Sequence, residues 1–160
     1  MIKQIETKDR RFDLGKGAGS DAIHKDPQYS YAVTNLNNGN GLTGTGFAFT
    51  VGEGNDLVCK AAQFYANKLK GKDIEELMND FGNTFRALSN EQQFRWLGPH
   101  KGVVHLGLAS VTNACYDLWA KKSGVPLWKL LIDLSPEQIV NTLDLSYLED
   151  VLTREEAIDM

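Results

Sequence analysis

The chain has 160 residues, 42% of them hydrophobic and 24% charged, which is enough apolar matter for one soluble domain with a real core. A formal charge of −4 leaves no basic stripe, so binding to nucleic acid through phosphate contacts is excluded. No window holds about 18 consecutive apolar residues, which excludes a membrane helix, and the N-terminal MIKQIETKDRRF has no apolar run of signal-peptide type. Cys59 and Cys115 fall on helical patterns without CxxC spacing; they read as two reduced, buried thiols, and the compartment as the cytoplasm.

Period-two patterning opens the chain. Ile2–Thr7 alternates weakly, Tyr29–Leu36 alternates well, and the turn signal Asn37-Asn38-Gly39-Asn40-Gly41 leads into a third run, Leu42–Val51. These segments predict an antiparallel three-stranded meander near 2–7, 30–37 and 42–51. Between the first two strands lies GAGSDAIHKDPQYS, Gly17 to Ser30, polar and without hydrophobic periodicity. A hairpin of two to five residues would join the strands more simply, so this long loop is a candidate site. Asx-turn bracing by Asp and Ser is the competing structural role for its polar groups.

The pattern then turns helical. Val58, Ala61, Ala62, Tyr65 and Leu69 make a stripe within 54–70, and Ile74, Leu77, Met78, Phe81, Phe85 and Leu88 make another within 73–88, with Asp73 as cap and Glu76 three residues on. A helix over 101–123 carries Val104, Leu108, Val111, Cys115 and Leu118, and Gly124 with Pro126 ends it. Pro126 starts a short helix, Leu127–Ile132. Val140–Leu145 reads as a strand, and Thr153 with Glu156 caps a last helix. That strand-helix succession predicts the start of a β/α repeat, so we divide the chain at 1–135 and 136–160.

Other candidates carry less. Lys68-Leu69-Lys70 ends a helix, where cations complement the dipole, rather than a strand where such a pair could abstract a proton. Gly52-x-Gly54 reads as a turn and Gly44-x-Gly46 as a bulge or a close backbone approach. His24, His100 and His105 form no ligand set, no G-x-S-x-G elbow exists, and Trp96, Trp119 and Trp128 are assigned to the core. No catalytic residue and no metal ligand is assigned to this chain.

Three co-linear blocks resemble a known family. Gly19-Ser20-Asp21-Ala22 with His24, Asp26-Pro27 and Tyr29-Ser30 resembles the substrate-capping loop of the L-fuconate dehydratase family, within the enolase superfamily. Arg95-Trp96-Leu97-Gly98-Pro99 with Lys101-Gly102-Val103-Val104-His105-Leu106 is similar to a second block. Asn113-Ala114, Asp117-Leu118-Trp119-Ala120-Lys121 and Pro126-Leu127-Trp128-Lys129-Leu130-Leu131 make a third; Tyr116 departs from the family's usual Trp, which bears on packing.

The resemblance implies an α+β fold, a three-stranded antiparallel meander followed by a helical bundle, of the mandelate racemase/muconate lactonizing enzyme N-terminal type, then the first strand of a (β/α)8 barrel. It implies a hydro-lyase that removes the proton α to a sugar-acid carboxylate and expels the β-hydroxyl, with Mg²⁺ stabilising the enediolate and with metal ligands and base on the barrel. Gly19, Ser20, Asp21 and Tyr29 match the positions that contact substrate from the cap. The implied partners are a small sugar acid, the chain's own barrel domain and a second copy in a homo-oligomer. By itself the chain is expected to be inactive. The alternative is a free-standing α+β module that binds a polar ligand or a protein without catalysis.

Overall fold

Alternation and cross-strand pairing set the sheet. In the computed structural model, which describes residues 1–98 and 101–160, strands β1 (Gln4–Asp13), β2 (Gln28–Asn37) and β3 (Thr43–Val51) pair antiparallel in the order β1-β2-β3. The predicted meander is present. β1 runs six residues further than its weak alternation suggested, pairing Lys8–Asp13 with Gln28–Val33. What the sequence pattern lacks there is supplied by polar bonds: Arg11 donates to the Asp9 carboxylate (2.7 Å) and Asn55 Nδ2 donates to Asp9 Oδ1 (2.6 Å). One sheet face, with Ser30, Ala32, Thr34 and Leu36 of β2, is buried. The other carries an aromatic cluster in which Phe12, Tyr29, Tyr31, Phe47 and Phe49 meet edge to face or tilted at 4.9–5.8 Å between centroids.

Helices α1 (Asn55–Lys68) and α5 (Gly102–Ser123) cover the buried face. α5 lies directly on β3. A Cβ at Gly44 would overlap the Ala114 carbonyl and Leu118, and one at Gly46 would overlap the backbone of α5 at Ser110 and Ala114. The Gly-x-Gly in this strand is therefore a close approach of helix to strand. Ser110 completes the seam: its hydroxyl donates to the Ala32 carbonyl (2.8 Å) and accepts from Thr34 Oγ1 (2.8 Å), and among the described residues no buried side-chain polar atom lacks a partner. Gly107 repeats the close approach between α5 and Ala61–Ala62 of α1. Cys115 is fully buried, which pushes its thiol up to about 12, and Cys59 is buried and unpaired as well.

Gly52-x-Gly54 is a turn: both glycines have positive φ, Gly54 caps α1, and Gly52 N donates to Ser30 Oγ (2.9 Å). Lys68 ends α1 over the Phe64 ring and 3.8 Å from Glu91, a helix-end cation as read. The predicted helix over 73–88 divides at Asn79–Asp80 into α2 (Ile74–Met78) and α3 (Phe81–Ser89). Asp73 caps α2 through the Glu75 N–H (2.9 Å). It also binds Lys122 (3.2 Å) and the N-terminal ammonium (3.3 Å), and these donors hold its carboxyl at about 2. Glu91 caps a single turn, α4 (Gln92–Arg95). Gly124, at φ 71°, closes α5, and α6 (Leu127–Ile132) follows Pro126.

Two expectations are corrected. Val140–Leu145 is not a strand. Ser135 and Gln138 form a capping box that starts α7 (Pro136–Asn141), which takes up Val140, and 142–145 is irregular. A barrel strand draws its hydrogen bonds from neighbouring strands, and among the described residues the meander is the sole sheet. α8 (Arg154–Asp159) begins on the Thr153–Glu156 capping box as predicted. Trp96 and Trp128 are not core residues: they are 88% and 64% exposed, while Trp119 packs against Tyr116. Tyr116 stacks edge-on to Phe81 at 5.3 Å, the packing role anticipated for this departure. Pro99 and His100, named in the second block and among the histidines, lie outside the described residues.

The seam yields a prediction. Gly46→Ala places a methyl on helix backbone, which cannot swing aside as a side chain could, so α5 must shift. The expected loss is about 1–3 kcal/mol, the range for overpacking. A urea midpoint equal to wild type at unchanged slope would refute the close-approach account.

Candidate functional site

The loop of interest spans residues 14–27 and joins neighbouring strands β1 and β2. Its base is closed where Gln28 Nε2 donates to Asp13 Oδ1 (2.6 Å). Tyr29, placed in the loop by the sequence pattern, belongs to β2 opposite Phe12 and Val51. Its half-buried ring meets Phe49 edge-on at 4.9 Å on the outer sheet face.

Above the sheet the loop ties itself together. Asp26, at φ 48°, accepts from the Gly17 N–H, and its own N–H donates to Ser20 Oγ (2.9 Å). Gly19, at φ +70°, sits over Leu14, Pro27 and Tyr29; a Cβ there would fall 2.8 Å from Leu14 Cδ1 and 3.6 Å from Tyr29 Cε1. Only a glycine accepts that backbone angle and that floor without strain. Gly19 and Tyr29 are thus brought together, with Ser20 and Asp21 following on the exposed side of the loop.

Asp21 is the most engaged group. Its Oδ1 accepts from the backbone N–H of Ile23 (2.8 Å) and of His24 (2.6 Å), and Oδ2 faces His24 Nδ1 at 3.0 Å. The Asp21 N–H donates to the His24 carbonyl (2.9 Å). The His24 amide and ring and the Ile23 amide together bring the Asp21 carboxyl down to about 2. The Asx-turn bracing set against a ligand role is therefore present. It uses Oδ1 fully and Oδ2 in part. The Ser20 hydroxyl only accepts within the loop, so its proton is free to donate, and the Tyr29 hydroxyl has no partner among the described residues. A donor at Ser20, an acceptor at Asp21 and a phenol at Tyr29 are groups that can pair with hydroxyls, which both donate and accept.

The alternation pattern signalled the strands but not the aromatic floor, which needed the register. His24 and Asp26 were visible as polar residues, yet their pairing with Asp21, Ser20 and Gly17 depends on the positive φ of Asp26 and Gly19, which sequence spacing does not disclose. A cleft of about 240 Å³ lies elsewhere, between α3, α7 and the C-terminal segment. Its Arg86 and Glu149 face each other at 3.6 Å. Among the described residues no group of three or more His, Cys, Asp or Glu could hold a metal ion. No helix among them is long and apolar enough to cross a membrane.

The electrostatics of the loop can be tested. Asp21 is ionised more readily in the folded loop than in an unfolded chain, so its share of loop order is complete above pH 4. It is lost as pH falls through about 2. In an NMR titration the Asp21 carboxyl should titrate near 2, with the Ile23 and His24 amides following it. A midpoint at the ordinary value near 4 would mean the turn is open in solution.

No family model matches the chain. It is 42% identical over 162 residues to human mitochondrial enolase superfamily member 1 and 44% identical over 161 residues to the L-galactonate dehydratase of Hypocrea jecorina, covering 99% of this chain in each case. The chain spans little more than a third of these relatives, 37% and 36% of their lengths. The crystal structure of the human protein superposes with a TM-score of 0.91 over 99% of this chain and 36% of its own. A racemase from Streptomyces coelicolor with bound magnesium shares the fold at TM-score 0.70 and 21% identity, over 85% of this chain and 36% of its own. An enolase from Bradyrhizobium, 16% identical with a TM-score of 0.60 over 81% of this chain and 34% of its own, is complexed with magnesium and mandelic acid. The meander, the helical layer on its inner face and these co-linear matches place the chain in the enolase superfamily, with the fold of its N-terminal domain.

Proposed function

We propose that this chain is the substrate-capping part of a sugar-acid dehydratase acting on L-fuconate or a close relative such as L-galactonate. The observation that supports the proposal is the loop: Gly19 lies over Tyr29, Ser20 and Asp21 follow it as exposed residues of an internally bonded segment, and the Ser20 proton and part of Asp21 Oδ2 are left unused. The identity to an L-galactonate dehydratase supports the same class. In this reading Ser20 donates to a substrate hydroxyl, Asp21 Oδ2 accepts from one, and Tyr29 closes the pocket from the sheet.

The reaction is loss of water. The proton α to the carboxylate is removed, the β-hydroxyl leaves, and the enol becomes a 2-keto-3-deoxy acid. Magnesium would stabilise the enediolate, and in this reading base, metal ligands and proton donor belong to a barrel domain that follows the cap. The relatives, nearly three times as long, have room for such a domain. The buried reduced thiols fit a reducing compartment, the cytoplasm in our reading.

In the full-length protein carrying this segment, Asp21→Ala should cost about 1.5–3 kcal/mol in kcat/KM, the range for a hydrogen bond to a charged group, and Tyr29→Phe about 1 kcal/mol. Metal binding should hold in both variants, and the melting temperature should hold for Tyr29→Phe, which keeps the ring. Unchanged kinetics with a lowered melting temperature would reduce these residues to loop bracing. The 160-residue chain alone should release no 2-keto-3-deoxy acid from L-fuconate even with magnesium; product formation would show that the chemistry had been misplaced.

A further inference from the structure

We propose that His24, outside the set of cap residues assigned above, is a specificity-determining contact: its Nε2 accepts a hydrogen bond from the terminal hydroxyl of the sugar acid. This rests on the capping role of the loop. Two independent features of the geometry lead to it. The first is the clamp on one ring nitrogen. Nδ1 lies 3.0 Å and 3.1 Å from the two oxygens of Asp21, and an ionised carboxylate can only accept. Nδ1 must therefore carry a proton, and in the neutral form of the ring Nε2 is then a bare acceptor. The second is the setting. His24 is 53% exposed at the side chain, and its Nε2 has no partner among the described residues. The ring is anchored at one end and open at the other, on the same loop that offers Ser20 and Asp21.

The chemistry of the substrate selects which hydroxyl is read. The carbons that react lie beside the carboxylate, and their partners belong to the barrel. A cap residue meets the far end of the polyol. L-Galactonate and L-fuconate differ there and nowhere else: the first ends in a hydroxymethyl, the second in a methyl. An acceptor aimed at that position favours the hydroxylated acid, because a methyl leaves Nε2 without its bond.

Two measurements test this. In the 160-residue chain at pH 8, nitrogen-proton correlation NMR should find His24 as the Nδ1–H tautomer; an Nε2–H tautomer overturns the proposal. In the full-length protein, kcat/KM is measured on both acids for wild type and His24→Asn. The asparagine amide can still donate to Asp21 in place of Nδ1, so the loop stays clamped, but nothing reaches the Nε2 position. The ratio of kcat/KM for L-galactonate over L-fuconate should fall about five- to tenfold. A ratio unchanged in the variant, with both acids turned over, removes His24 from recognition and leaves the dehydratase reading standing. Turnover of neither acid by wild type defeats that reading and this inference with it.

Discussion

The structure depends on how closely α5 can lie on the sheet. Gly44 and Gly46 remove the Cβ atoms that would hold the helix off β3, and Gly107 does the same between α5 and α1. Backbone then meets backbone across the layer, and the polar groups brought inside must be satisfied. Ser110 does this by giving its proton to the Ala32 carbonyl and taking one from Thr34. A hydroxyl in the middle of the longest helix would otherwise cost stability; here it ties the helix to the central strand. Because β2 is held from behind by α5 and α1, its outer residues, Tyr29 among them, stand at fixed positions. The loop that crosses above Tyr29 inherits a rigid floor.

That floor explains the loop's economy. It is long and almost wholly exposed, a class of segment that usually costs ordering entropy whenever it meets a ligand. Internal bonds, among them those from the amides of Gly17, Asp26, Ile23 and His24, hold it without a core of its own. Bracing and recognition are not rivals in such a loop. A carboxylate oxygen that faces one donor, as Asp21 Oδ2 faces His24 Nδ1, still has a lone pair to offer, and a serine hydroxyl that accepts from Asp26 still has its proton to give.

Much of this was legible in the sequence, for identifiable reasons. The stripe of Val104, Leu108, Val111, Cys115 and Leu118 is strictly helical, and every one of these residues is buried. The Thr153–Glu156 box wrote its own helix start. The strand expected at Val140–Leu145 failed because a short apolar run has no periodicity to separate strand from helix; the deciding signal, Ser135-Pro136 with Gln138, lay upstream in the flank. β1 was cut short for the opposite reason. Its outer half is charged and owes its strand geometry to β2 and to Asn55, partners that no local window contains. Trp96 and Trp128 were assigned inward because large aromatics at helix ends usually are, and both face out.

The exposed aromatics bear on the same question of what the fold is built to meet. Phe12, Phe47 and Phe49 remain 44–56% exposed although they pack against Tyr29 and Tyr31. Edge-to-face contacts at these spacings hold each ring in one orientation, so the outer sheet face is a shaped apolar surface rather than a scatter of loose side chains. Tyr29 belongs to this surface through Phe49 and to the loop through Gly19. A change in the packing of the aromatic face therefore reaches the loop through one ring. The loop and the aromatic sheet face share a residue, which is why Tyr29 can be removed from neither without disturbing the other.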